Sequence, residues 1–204
     1  MMKSTSGQNV FFFIPNIIGY FRLILLIASW IFIEQPTEFL SFYITSILLD
    51  AVDGWTARKL NQVSDFGAWL DVVVDVIGRG IIWCNLGKYG YAVPAWEWIV
   101  FVANHAQADS GQWKHKFDQS PLMVKHVMEK GFKTMLGSFV IGSIHIFPVW
   151  LYIQIHMTDV VLQIPTLSHW ISWGLLLGRL LGFVVEFWCV YIHVFFMISR
   201  EKKT

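Results

Sequence analysis

Residues 50–75 read DAVDGWTARKLNQVSDFGAWLDVVVD. Five of them are acidic (Asp50, Asp53, Asp65, Asp71 and Asp75), and the chain on either side is apolar. An unpaired carboxylate in an apolar medium is very costly, so this stretch needs a chemical reason. Its spacing supplies one. Asp50 and Asp53 are three apart, and Ala57 and Arg58 follow on the same helical face. Gly67, Asp71 and Asp75 recur every four residues, so they share one face of the next helix. The eight residues from Lys59 to Phe66 turn the chain around. The pattern predicts two antiparallel helices that present four carboxylates to each other.

The surroundings of this hairpin set its solvent. Of 204 residues, 55% are hydrophobic and 14% charged, against roughly 25% charged in a soluble domain. So much apolar surface calls for a bilayer. The 11 Trp and 17 Phe agree, because aromatic rings collect at headgroup level. A net charge of +1 gives no general attraction for nucleic acid. Cys84 and Cys189 lie in apolar runs and read as small buried hydrophobes rather than a disulfide or metal pair.

Apolar runs long enough to cross a membrane occur near residues 14–33, 39–59, 66–86, 93–113, 134–156 and 168–198. We therefore expect an all-α integral membrane protein of six spans, forming a single domain over residues 1–204. The first run is interrupted by Pro15, Asn16, Gly19 and Arg22 and reads as a membrane helix, not a secretory signal. With the N-terminus in the cytosol, eleven Lys and Arg fall on that side and only Lys88 on the other. The split predicts both termini, and the acidic hairpin, at the cytosolic face.

Four carboxylates facing one another repel unless cations neutralise them. Hard oxygen ligands suit Mg²⁺, Mn²⁺ or Ca²⁺. Two such ions would clamp a diphosphate during phosphoryl transfer. Gly54, Gly67 and Ala57 leave room for a bulky ligand, and Arg58 can grip phosphate oxygens. Ser64, just ahead of the third span, can cap that helix or bond a phosphate. Asp75, the deepest acid, suits proton acceptance from a hydroxyl. Spacing alone leaves two other readings open: an ion or proton pathway, and structural pairing with Arg58 or Arg79.

The stretch resembles the motif of the CDP-alcohol phosphotransferase family: Asp, two residues, Asp-Gly, two residues, Ala-Arg, eight residues, Gly, three residues, Asp, three residues, Asp. All eight positions are present as Asp50, Asp53, Gly54, Ala57, Arg58, Gly67, Asp71 and Asp75. The resemblance implies a six-helix membrane enzyme, often a homodimer, that moves a phosphate-linked group from a CDP-activated donor to an alcohol. It implies Mg²⁺ or Mn²⁺, two ions, held by Asp50, Asp53, Asp71 and Asp75, with Asp75 also the proton acceptor. Gly54, Ala57, Arg58, Ser64 and Gly67 would then hold CDP-diacylglycerol.

Within the family the chain most resembles the eukaryotic members that use inositol. The likeness runs through NVFFFIPNIIGYFRLIL (9–25), SFYITSILLDAVDG (41–54), ARKLNQ (57–62) and FGAWLD (66–71). Inositol is thus the expected acceptor, met by Arg79, Lys125 and Lys130. Other acceptors, such as glycerol phosphate or an amino alcohol, a CDP-amino-alcohol donor, and a non-catalytic lipid-binding paralogue are the alternatives. After the third span the likeness thins: VIGRG, DSGQW and SPLMVKHVMEK stand where those members carry other residues. His105, Gln107 and Asp109 read either as acceptor-cavity residues or as helix–helix hydrogen-bonding groups. Arg179 and Glu186, seven apart, read as a structural pair; Arg22, with Asn16, reads as facing the nucleotide. His145, His156, His169 and His193 read as structural. The terminal REKKT suggests the endoplasmic reticulum, which the resemblance also implies.

Overall fold

The computed structural model describes residues 9–108 and 120–201. Among these residues the chain is helical, with no strand: a short 3₁₀ turn at Val10–Phe12, then α1 (Ile14–Ile31), α2 (Pro36–Lys59), α3 (Asp65–Asn85), α4 (Ala92–Ala108), α5 (Leu122–Met128), α6 (Met135–His156), α7 (Thr158–Leu162) and α8 (Pro165–Glu201). The six long helices coincide with the six expected apolar runs. Three of them, over Ile14–Ile31, Met135–His156 and Pro165–Ser199, are long and apolar enough by composition to cross a membrane. The chain is therefore an integral membrane protein. The 37 residues of α8 extend about 55 Å, well beyond a hydrocarbon core of about 30 Å. The short α5 and α7 lie in stretches that read as polar connections. Val124 and Val127 bury one side of α5 and hold it.

The chain forms two compact units, Met1–Ile81 and Ile82–Thr204. In the first, α1 buries Pro15, Asn16, Gly19, Arg22, Leu26 and Ser29, a three-to-four-residue stripe of small and polar groups. Its apolar residues Ile17, Phe21, Ile24, Ile27 and Trp30 are exposed. That inversion is what a lipid solvent selects, since polar groups need protein partners there. The facing stripe of α2 runs Phe39, Tyr43, Ser46 and Asp53, aromatic at one end and acidic at the other. The Ser46 hydroxyl donates to the Arg22 carbonyl at 3.3 Å and sets the register of the pair.

The turn into α3 is closed at both ends. Gln62 N–H donates to Ala57 O at 2.9 Å and Asn61 N–H to Arg58 O at 3.4 Å, with Asn61 left-handed at φ 54°. This is a Schellman closure, with asparagine in the place usually taken by glycine. The Gln62 side chain then accepts from Ile14 N–H at 3.0 Å. An otherwise orphaned donor of α1 is satisfied, and the turn is tied to the start of α1.

In the second unit, Val124, Val127, Val140, Val185 and Cys189 form the core between α5, α6 and α8. Cys189 is buried as expected, but Cys84 is exposed; it sits on an outward face of α3, where a small apolar thiol suits lipid as well as it suits a core. The helices α6 and α8 approach closely. A Cβ built on Gly178 would fall on the Ser143 side chain, and one on Gly182 would lie 3.0 Å from Ile144 Cδ1. Gly178 and Gly182, one turn apart, form a small-residue seam of the kind that lets membrane helices meet.

Arg179 pairs with Glu186 at 2.9 Å, as the spacing predicted, and also with Glu97 of α4 at 3.3 Å. Its guanidinium lies 3.8 Å from the Phe183 ring centre, and Trp96 Nε1–H donates to Glu186 at 3.0 Å. This network joins α4 to α8. Glu97 was not singled out by its sequence, where it is a lone acid in an apolar run.

Candidate active site

The first unit gathers all four aspartates of the hairpin. Asp50 and Asp53 come from the last turns of α2, and Asp71 and Asp75 from the first turns of α3. Carboxylate oxygens of Asp50, Asp53 and Asp71 lie within 4.8 Å of one another. The cation that meets all four is Arg22 of α1, which the spacing had not paired with them. Its Nη1 stands 2.8 Å from Asp50 Oδ1, 2.7 Å from Asp53 Oδ2 and 2.8 Å from Asp71 Oδ1. Its Nη2 donates to Asp75 Oδ1 at 2.8 Å. The Arg22 side chain is 2% exposed, whereas Asp50 and Asp71 are 42% and 46% exposed. The cluster is thus open on the side away from α1. Arg79 Nη1 adds a looser contact with Asp75 Oδ2 at 3.6 Å.

The carboxylates fit divalent ions. They offer only hard oxygen donors, at a mutual spacing an ion can bridge. The two guanidinium groups, Arg22 and the looser Arg79, also offset only two of four negative charges.

A cavity of about 330 Å³ opens beside the cluster. It is walled by Asp53 and Asp71 and lined by Gly54, Ala57, Arg58, Ser64 and Gly67. Every position expected to hold the donor therefore shares one wall system with two of the acids. Asn16, Gly19 and Gln62 also line it; Asn16 faces the cavity as expected, while its companion Arg22 belongs to the acid cluster instead. Ser64 caps α3, accepting from Gly67 N–H at 3.0 Å. Gly67 is required by close approach: a Cβ there would stand 2.7 Å from Asn16 Oδ1 and 3.0 Å from Ser64 Oγ. Asn16 cannot easily yield, because its Nδ2 donates to Val10 O at 2.7 Å.

The other expected residues are placed as follows. Lys125 on α5 and Lys130 beyond it are exposed in the second unit, and Lys130 takes a left-handed conformation at φ 53°. His105 is exposed and its ring stacks on Phe101 at 5.8 Å. His156 stacks on Tyr152 at 4.3 Å, in keeping with a structural role. The Gln107 side chain, Asp109 and the stretch 109–113 lie outside the described residues, as do Lys3, Lys202 and Lys203.

Fold and site together define an all-helical membrane protein that sets a four-carboxylate cluster against a cavity flanked by an arginine and a helix start. The family model for CDP-alcohol phosphatidyltransferase matches residues 12–199, and the chain belongs to that family. Among curated proteins, it is similar to the CDP-diacylglycerol–inositol 3-phosphatidyltransferase of Candida albicans, with 36% identity over 123 residues, 56% of this chain and 54% of that protein. The enzyme of the same name from Saccharomyces cerevisiae is 41% identical over 100 residues, 48% of this chain and 43% of that one. The human one is 49% identical over 80 residues, 39% of this chain and 38% of that protein. The chain thus spans between about two fifths and about half of the length of these relatives. No solved structure matches it.

Proposed function

We propose that the protein transfers the phosphatidyl group of CDP-diacylglycerol to a hydroxyl of myo-inositol, giving phosphatidylinositol and CMP. The observation that carries this reading is the convergence of four aspartates on one point beside a cavity lined by all five expected donor-binding residues. The printed names of the relatives support inositol as the acceptor.

In this reading Arg58, Ser64 and the start of α3 bind the donor diphosphate, and Gly54, Ala57 and Gly67 make room for it. Asp50, Asp53, Asp71 and Asp75 would hold two Mg²⁺ or Mn²⁺ ions, which would supply charge stabilisation for the transferring phosphoryl group. Asp75 accepts the proton of the attacking inositol hydroxyl. The inositol oxygen forms its bond to the phosphorus that carries diacylglycerol, the bond from that phosphorus to CMP breaks, and the proton rests on Asp75. Arg79, beside Asp75, orients the acceptor; the same role for Lys125 and Lys130 rests on their position in the sequence alone.

The rest of the arrangement is proposed on the same footing. One domain spans residues 1–204, and α1, α2, α3, α4, α6 and α8 cross the membrane with both termini and the acids at the cytosolic face. The eleven-to-one distribution of basic residues supports that orientation. Only three of these helices pass on length and composition because α2 and α3 carry the site's own charges and only 17 residues of α4 are described. The endoplasmic reticulum and a homodimer are the expected setting.

The acceptor is tested by supplying the purified protein with CDP-diacylglycerol, Mn²⁺ and one labelled alcohol at a time. Labelled lipid should form from inositol. Lipid from serine or glycerol phosphate, and none from inositol, would overturn the acceptor. Gly67→Ala should raise the KM for CDP-diacylglycerol about tenfold, or about 1.4 kcal/mol, as the new Cβ meets the fixed Asn16 and displaces Ser64 and the start of α3 from the cavity wall. An unchanged donor KM would remove that wall from the donor site.

A further inference from the structure

We propose that Arg22 is the resident counter-cation of the four aspartates, and that divalent ions bind by displacing its Nη1 from them. This inference rests on the metal-binding reading above. It assigns a positioning role to a residue outside the acidic motif.

The geometry around Nη1 carries the argument. A guanidinium nitrogen of this kind bears two hydrogens. Here it faces three carboxylate oxygens, at 2.8, 2.7 and 2.8 Å, from Asp50, Asp53 and Asp71. Two of these contacts are hydrogen bonds, to Asp53 and Asp71, and the one to Asp50 is charge attraction alone. Three oxygens from two helices thus converge on a nitrogen able to satisfy two of them. Those same three residues form the group spaced to share an ion.

An Mg²⁺ ion bridging these oxygens takes them at about 2.0–2.1 Å. It would then stand against a cationic nitrogen 2.7–2.8 Å from the same atoms, and the two charges repel. The two cations therefore compete for the same carboxylate oxygens. The competition is uneven, because Arg22 and the looser Arg79 supply two positive charges to four carboxylates while two divalent ions match all four. The Nη2 contact with Asp75 at 2.8 Å and the burial of Arg22 at 2% keep the guanidinium nearby. Arg22 thereby holds α1, α2 and α3 together before the ions arrive, and sets a threshold that they must exceed.

The test uses the full-length protein in detergent, with Mn²⁺ alone as the probe and free Mn²⁺ read by electron paramagnetic resonance. Arg22→Gln removes the competitor and should bind Mn²⁺ about tenfold more tightly, in the range of ordinary coupling between linked sites. Its metal-free thermal midpoint should fall below that of the native protein, and the gap should narrow as Mn²⁺ is added. Arg22→Lys keeps a charge but lacks the fork that reaches Asp75 and the other three at once. It should bind Mn²⁺ with intermediate affinity, and it decides the matter if the Gln variant does not fold. A merely structural arginine would give variants with equal or weaker Mn²⁺ affinity, and that result overturns the inference while leaving the metal site standing. No Mn²⁺ binding by the native protein would remove both.

Discussion

Asp75→Asn should lower turnover by at least about 10³-fold while the protein still folds and still binds CDP-diacylglycerol. The basis is that Asp75 is asked to do two things. It accepts the proton of the attacking hydroxyl, a contribution of roughly 10²–10⁴-fold, and it supplies an oxygen to the metal cluster. Asparagine keeps the shape and loses both the charge and the basic oxygen. The fold should survive, because α1 and α2 remain joined through Arg22 with Asp50 and Asp53, and the cavity walls do not include Asp75. Turnover within tenfold of the native rate, measured by CMP release with donor binding checked separately, would show that the proton leaves by another route.

Gly178→Ala should be the most damaging small substitution away from the site. The added Cβ would lie 2.5 Å from Ser143 Cβ, and closer still to its hydroxyl. Neither can swing away, since Ser143 Oγ is held to Phe139 O at 2.8 Å and Cβ moves only with α6. Separating two packed helices to relieve such a contact costs about 1–3 kcal/mol or more. The thermal midpoint in detergent should fall accordingly. Adding Ser143→Gly should restore most of the loss, because the two changes share one contact. A midpoint unmoved by Gly178→Ala, or a double variant no better than the single, would mean that the seam is looser than the structure shows.

Much of this was legible in residues 50–75, because a helical period and a charge pattern are both local properties. The hairpin, its turn and the two acidic faces follow from spacing alone, and the expected turn at 59–66 lies within two residues of the observed one. Arg22 was harder to place. It lies far from Asp50 in the chain, and a lone arginine in an apolar run carries no pattern of its own. A signal existed nonetheless: Asn16, Gly19, Arg22 and Ser29 fall on one face of α1, a polar stripe that must meet polar partners in a membrane. Glu97 had no such company and could be joined to Arg179 only by the fold. Gly178 and Gly182 stand a turn apart in α8, but only the structure shows that Ser143 and Ile144 face them. The acceptor end stayed least legible, since Arg79, Lys125 and Lys130 form no spaced motif.

One assay bears on the whole account: CMP release by the purified protein, with CDP-diacylglycerol, inositol and Mn²⁺ each present or omitted in turn. The site described here predicts CMP only when all three are present, with phosphatidylinositol formed in equal amount. No CMP under the complete mixture, or CMP released without any divalent ion, would contradict it.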